Sequence, residues 1–346
     1  MNQLFSQLPG LLLPWYEQHK RDLPWRQDRE PYHVWLSEIM LQQTRVEAVK
    51  GYYDRFLAAL PTFESLANAP EEKCHKLWEG LGYYSRVRNL QKAAKQVMER
   101  HGGKFPCTYG EIRQLAGIGD YTAGAIASIC FDLPTPAVDG NVVRVMTRLT
   151  MDSRPANSLP LRRELQEKLG EIYPKKGSGE FTQGLMELGA TVCLPNGEPL
   201  CEKCPVRTIC GAYQAGKVME FPVKAPKKPR KVEEKTVFIL RCGDKIAILK
   251  RKNTGLLAGL WEFPNVPGYL DMESALSQAV NWNTKPLSPD KIVEKSHIFT
   301  HVEWKMRGIY LTCSHMSEAF TWATEDEFDS IYALPTAFRQ FREEKP

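Results

Sequence analysis

Apolar residues recur at three- and four-residue spacing through the first 221 positions, the period of helices with one buried face. Tyr32–Leu41 follows it, as do Leu66, Ala67 and Leu77-Trp78, and then Val87, Leu90, Ala94 and Val97-Met98. Pro31, Pro61, Pro70, Pro106 and the Gly102-Gly103 pair punctuate the run and predict helix ends. From position 236 the period changes. Thr236–Leu249 predicts two strands around a Gly243-Asp244 turn, Glu303–Thr312 a further strand, and Met272–Val280 a helix. The two textures are separated by 222–235, which holds three prolines and a charge run and predicts an extended linker. The expected organisation is a mostly α domain over 1–221, a basic linker over 222–235, and an α+β domain over 236–346.

A chain of 346 residues is long enough for two such domains. No apolar run approaches the ~18–20 residues of a membrane span. Leu11-Leu12-Leu13 runs into Pro14 and has neither a basic flank nor a small-residue cleavage site, so no signal peptide is expected. The net charge of +5 is local rather than general: 222–235 alone carries six Lys and Arg against two Glu. Five of the nine cysteines are isolated, whereas Cys193, Cys201, Cys204 and Cys210 fall close together. An odd total with one tight cluster argues for a reducing, cytoplasmic setting and a metal centre rather than a disulfide framework.

Three segments could carry chemistry. Cys201-x2-Cys204-x5-Cys210 brings three thiolates within reach of one centre, and Cys193 can supply a fourth from the end of the apolar stretch 181–192. Four thiolates suit zinc or a 4Fe–4S cluster, and the single short Cys pair favours iron–sulfur. Leu115-Ala116-Gly117-Ile118-Gly119, followed by Asp120–Ile126, reads either as a bare tight turn between helices or as a phosphate site at a helix N-terminus. Asp139, in Val138-Asp139-Gly140-Asn141, is either only a helix cap or one of two catalytic carboxylates. The second carboxylate would be Glu38, which is either a solvated residue or a buried acid of raised pKa.

The order of these pieces resembles the helix-hairpin-helix DNA glycosylase superfamily, iron–sulfur branch. The order is Glu38 with Leu41-Gln42-Gln43-Thr44, Leu81–Arg86, Gly117-Ile118-Gly119, Val138–Asn141 and the four cysteines. The resemblance spans nearly the whole chain and implies a helical domain with a 4Fe–4S loop followed by a Nudix-like domain, marked here by Gly259–Pro264. Asp271–Gln278 lacks the magnesium-binding Arg-Glu-x-x-Glu-Glu helix of true Nudix hydrolases, so that domain is expected to read DNA without hydrolysing pyrophosphates.

The resemblance further implies hydrolysis of the N-glycosidic bond of adenine paired with 8-oxoguanine, and with guanine, in double-stranded DNA. Glu38 would be the acid and Asp139 the partner of the sugar cation, oriented by Asn141 and Tyr121. Trp25, Arg26, Leu41 and Gln183 would form the adenine pocket. Gln42 and Tyr83 would insert into the duplex, and Gly117 and Gly119 would present backbone N–H groups to a phosphate. Phe299, Thr300 and His301 would recognise 8-oxoguanine, Thr300 standing where the family commonly has serine. Seven residues separate Cys193 from Cys201, one more than the family pattern. Tyr121 occupies the place of the lysine that gives related enzymes strand-cleaving activity, so a monofunctional enzyme is expected, acting as a monomer without membrane involvement. The competing readings are an endonuclease III-like glycosylase/lyase and an iron–sulfur redox module that binds DNA without catalysis.

Overall fold

The computed structural model describes residues 5–226 and 229–342. The chain divides into two compact units, one of 1–68 with 89–227 and one of 69–88 with 228–346. Among the described residues no helix is long and apolar enough to cross a membrane.

The first unit is helical. One core is built by helices Leu8–His19, Gly140–Thr150, Leu159–Gly170 and Ser178–Thr191, whose Leu12, Val142, Met146, Leu165, Phe181, Leu185 and Leu188 are buried together. Helix Pro31–Leu41 packs against Val46–Ala59 and Asp120–Phe131. It opens on proline, whose fixed φ and missing N–H suit a first helical turn. Tyr32 and all of Val34–Met40 are buried, so this helix has almost no solvated face.

Two glycines set how closely these helices meet. A Cβ on Gly189 would lie 2.5 Å from Cβ of Asn141, so only glycine lets Ser178–Thr191 lie against the first turn of Gly140–Thr150. Gly117 is needed for a different reason. It holds φ +75° in the turn between helices Tyr109–Arg113 and Asp120–Phe131, where an added Cβ would also meet Asn89 at 2.6 Å.

The second unit is a mixed sheet. The strands are β1 Lys231–Cys242, β2 Lys245–Lys250, β3 Trp261–Glu262, β4 Asn265–Pro267, β5 Pro286–Ile298, β6 Val302–Cys313 and β7 Thr321–Ala323. The order is β3-β2-β1-β6-β5, with β4 on β1 and β7 on β2. β1 and β6 are parallel and the remaining pairs antiparallel. Alternation along β1 and β6 feeds two cores. One holds Val237, Ile239, Trp304, Met306 and Phe338, the other Phe238, Leu240, Ile309, Leu311 and Ala275 of helix Met272–Asn281.

Two expected boundaries move. Lys231–Lys235, read as the end of the linker, form the start of β1, where Lys235 pairs with Pro267 of β4 and Glu233 accepts a 3.1 Å bond from the Trp304 indole. A half-exposed strand carries alternating charges as readily as a solvated linker, so composition alone could not separate them. Lys227 and Lys228, also in that expected linker, lie outside the described residues. Residues 69–88, expected within the helical domain, belong to the sheet unit. Lys76 Nζ donates to the Phe328 carbonyl at 2.6 Å, Glu79 accepts from the Leu334 amide at 2.8 Å, and Lys250 pairs with Glu72 at 2.8 Å.

Candidate active site

Glu38 and Asp139 line one cavity of about 170 Å³ in the first unit. Glu38 sits on helix Pro31–Leu41 at 7% exposure and accepts a 2.6 Å hydrogen bond at Oε2 from the hydroxyl of Tyr121. Burial raises its pKa to about 7. Nearby Asp139 raises it too, while the Tyr121 bond and Arg26 act in the opposite direction. The acid form of Glu38 is therefore populated at neutral pH. Tyr121 itself is buried and held well above its ordinary pKa, first by desolvation and then by Glu38 and Asp139, so its hydroxyl keeps its proton.

Asp139 is both cap and cavity residue. Its Oδ1 accepts from the Val142 amide at 2.7 Å, the capping bond of helix Gly140–Thr150. Oδ2 accepts from Asn141 Nδ2, also at 2.7 Å. Burial pushes its pKa up, and the hydrogen bonds from Val142 and Asn141 partly restore the anion. Asn141 is fixed in turn by Arg144, whose Nη2 donates to Asn141 Oδ1 at 2.8 Å and to the Gly189 carbonyl at 2.7 Å. Arg144 Nε donates to the Cys193 carbonyl at 2.7 Å, so one side chain ties the cysteine loop to the residue that orients Asp139.

Trp25, Arg26, Leu41 and Gln183, the residues the resemblance implies for an adenine pocket, line the same cavity. The two neighbouring glutamines behave differently. Gln42 is half-buried and donates to Thr122 Oγ1 at 3.3 Å, whereas Gln43 is exposed, just past the helix end, with φ 60°. Gly119 caps helix Asp120–Phe131 and offers no side-chain acceptor to its first-turn N–H groups.

The four cysteines line one mostly apolar cavity together with Val145, Leu149, Leu188, Val192 and Val206. Arg148 Nη1 lies 3.2 Å from Cys193 Sγ. Among the described residues no three His, Cys, Asp or Glu side chains stand close enough together to hold a single metal ion.

In the second unit, Tyr83, Phe299, Thr300 and His301 line a cavity of about 630 Å³. Residues 299–301 form the tip between β5 and β6, closed by the Phe299 amide donating to the Val302 carbonyl at 2.8 Å. Tyr83 is 51% exposed, has φ 48°, and its hydroxyl is 3.0 Å from Thr300 Oγ1. A bulky residue in the left-handed region needs support. Arg86 supplies it, donating to the carbonyls of Leu81 and Gly82 at 3.0 Å each, with its guanidinium 5.3 Å from the Trp78 ring and 5.5 Å from the Tyr83 ring.

Arg144, Arg86 and Glu187 were not singled out by sequence pattern. Arg144 and Glu187 shared a readable signal, a charged residue inside an apolar helical run (Val143-Arg144-Val145 and Met186-Glu187-Leu188).

Comparison with known proteins gives the family of the chain. A profile of the HhH-GPD superfamily of base excision DNA repair proteins matches residues 36–174, and a NUDIX domain profile matches 236–344. The adenine DNA glycosylases of Rattus norvegicus and Homo sapiens are each 36% identical to the chain, over 96% and 97% of it and 78% and 74% of their own lengths. The chain belongs to the adenine DNA glycosylase family. The member from Buchnera aphidicola subsp. Baizongia pistaciae is 34% identical over 88% of this chain and 86% of its own. Among solved structures, a thermostable thymine-DNA glycosylase aligns with a TM-score of 0.57 at 30% identity, over 62% of this chain and 98% of its own. A trapped endonuclease III–DNA covalent intermediate, 22% identical with a TM-score of 0.52 over 61% of this chain and 98% of its own, shares the fold.

Proposed function

We propose that this member of the adenine DNA glycosylase family is a monofunctional base excision repair enzyme that hydrolyses the N-glycosidic bond of adenine opposite 8-oxoguanine in double-stranded DNA. The observation that carries the reading is the pair of carboxylates in one cavity, one kept protonatable near pH 7 and the other taking hydrogen bonds from the Val142 amide and Asn141 that favour its anion against the effect of burial.

Breaking the bond makes an anionic base and an oxocarbenium-like sugar, both costly. Tyr121 occupies Oε2 of Glu38, leaving Oε1 to carry the proton to the purine's imidazole nitrogen. The C1′–N9 electron pair then leaves with the base, and Asp139 faces the developing positive charge. Water adds to C1′ and returns its second proton to Glu38, leaving free adenine and an abasic sugar. Tyr121 has no amine to form a Schiff base with that sugar, which supports base release without strand cleavage.

The adenine must leave the stack to reach this cavity. Trp25 and Leu41 offer it apolar walls, and Arg26 and Gln183 polar contacts. The exposed, left-handed Gln43 suits insertion into the duplex better than Gln42, whose amide is engaged by Thr122. Tyr83 is the aromatic wedge. The Thr300 hydroxyl, set beside Tyr83 and flanked by Phe299 and His301, suits recognition of the opposite 8-oxoguanine. Gly117 and Gly119 shape the hairpin whose N–H groups would take a phosphate. Adenine release is expected to be faster opposite 8-oxoguanine than opposite thymine. Thr300→Val, which removes the hydroxyl and keeps the volume, is expected to narrow that preference several-fold. Comparing single-turnover rates on the two duplexes checks this, and equal rates in the unaltered protein would remove the second unit's assigned role.

Cys193, Cys201, Cys204 and Cys210 would hold a 4Fe–4S cluster. Thiolates around one zinc lie about 2.3 Å from the metal, in a tight cage. The four thiols share one cavity, and a set of four thiolates suits a 4Fe–4S cluster. The bound cluster would clamp the 193–210 loop and supply no bond-making step. Anaerobically purified protein is expected to contain about four irons per chain and to lose them in Cys204→Ser. Stoichiometric zinc without iron would refute the assignment.

A further inference from the structure

Glu187 is the most deeply buried carboxylate at the cavity, with no exposed side-chain surface. It lies on helix Ser178–Thr191 and accepts four hydrogen bonds from two arginines. Oε1 takes the Arg21 amide at 3.2 Å and Arg21 Nε at 2.6 Å. Oε2 takes Arg21 Nη2 at 3.0 Å and Arg26 Nη2 at 2.8 Å. Arg26 is fixed on a second side, since its Nη1 donates to the Arg21 carbonyl at 3.1 Å. Burial alone would raise the pKa of Glu187, but the bonds from Arg21 and Arg26 outweigh it and hold the carboxyl below its ordinary range.

The titratable groups lining the cavity are Arg21, Arg26, Glu38, Tyr121, Asp139 and Glu187. Cys130, on helix Asp120–Phe131, also feels the charge of Glu38. Arg26 is the cation that acts on Glu38. With Glu187 in place, Arg26 commits a fork nitrogen to a buried anion. Without it, two guanidinium charges would face a cavity whose remaining carboxyls are Glu38 and Asp139. An arginine that turns to Glu38 would hold it as a carboxylate and spoil it as an acid.

We propose that Glu187 is a positioning residue: by gripping Arg21 and Arg26 in one buried fork, it keeps the Arg26 guanidinium on the base-facing wall and away from the Glu38 carboxyl. The inference rests on the reading of Glu38 as the acid.

The test uses the full chain and single-turnover adenine release from duplexes with adenine opposite 8-oxoguanine, from about pH 5 to about pH 9. Duplex binding and thermal unfolding serve as controls. The unaltered protein should lose rate on the alkaline side as Glu38 deprotonates. Glu187→Gln is expected to move that limb down by about one pH unit or more, a loss of ~10-fold at pH 8 and much less at pH 5.5. In Arg26→Gln the same Glu187→Gln change should move the limb no further, because the cation it restrains is gone. A rate lowered equally at every pH, or unchanged, would overturn the proposal. Where Glu187→Gln does not fold, Glu187→Asp draws the fork back by one methylene. A downward shift of the limb then supports the proposal and an unmoved limb overturns it. Failure of the underlying reading looks different, because Glu38→Gln would then keep its rate and the unaltered protein would show no alkaline limb.

Discussion

Glu38→Gln should cut adenine release by about 10²–10⁴-fold, the range a positioned general acid supplies, while duplex binding persists. The substitution keeps the side chain's volume and an oxygen that can accept from Tyr121, so it removes the proton and little else. It should also stabilise the fold. Burial raises the Glu38 pKa from 4.5 to about 7, so the folded chain binds that proton more tightly than the unfolded chain. Folding stability is then fullest below pH 4.5 and falls as pH rises towards 7, levelling off above it. The penalty at pH 8 is on the order of 3 kcal/mol. Glutamine does not incur it, so thermal unfolding of the variant should lie above that of the unaltered protein at pH 8, with a smaller gap at pH 5. A variant that loses release and also loses stability at pH 8 would mean that Glu38 is a structural residue.

Asp139→Asn should cost release about 10²–10³-fold, comparable to removing one charge-stabilising group from an active site. Asparagine caps helices as well as aspartate does, so the Val142 bond and the fold should survive. Circular dichroism and unfolding close to those of the unaltered protein, with release lost, would separate the two roles that Asp139 combines. Undiminished release would return Asp139 to a cap alone.

How far the sequence carried the site depends on the residue. Glu38 lies among apolar neighbours at nearly every position from Val34 to Leu41, so periodicity could not say which face of the helix it occupied. Only packing on both sides, by Val46–Ala59 and Asp120–Phe131, makes it buried. Asp139 was legible as a cap because capping is local, and its second role needed Arg144 and Asn141 to be seen together. The strands around Gly243-Asp244 and the helix at Met272 were readable because both signals lie within a few residues. The membership of 69–88 in the sheet unit was not, since it depends on long-range partners such as Lys76 with Phe328 and Glu79 with Leu334. The left-handed φ of Gln43 leaves no mark in composition, so the sequence does not separate it from Gln42.

Arg144 gives the four cysteines a physical connection to the chemistry. Its bonds to the Cys193 carbonyl and to Asn141 mean that the geometry of the loop bears on the geometry of Asp139. Glu187 does the same for Arg26. Both are charged groups held inside apolar helices, where their retention is costly unless fully paired.

The most direct measurement is product analysis after the unaltered protein, in excess, acts near neutral pH on a duplex with one adenine opposite 8-oxoguanine. The account predicts free adenine in amounts equal to abasic sites, with the strand intact until alkali is added. No free adenine, or strand breaks appearing as fast as adenine is released, would contradict it.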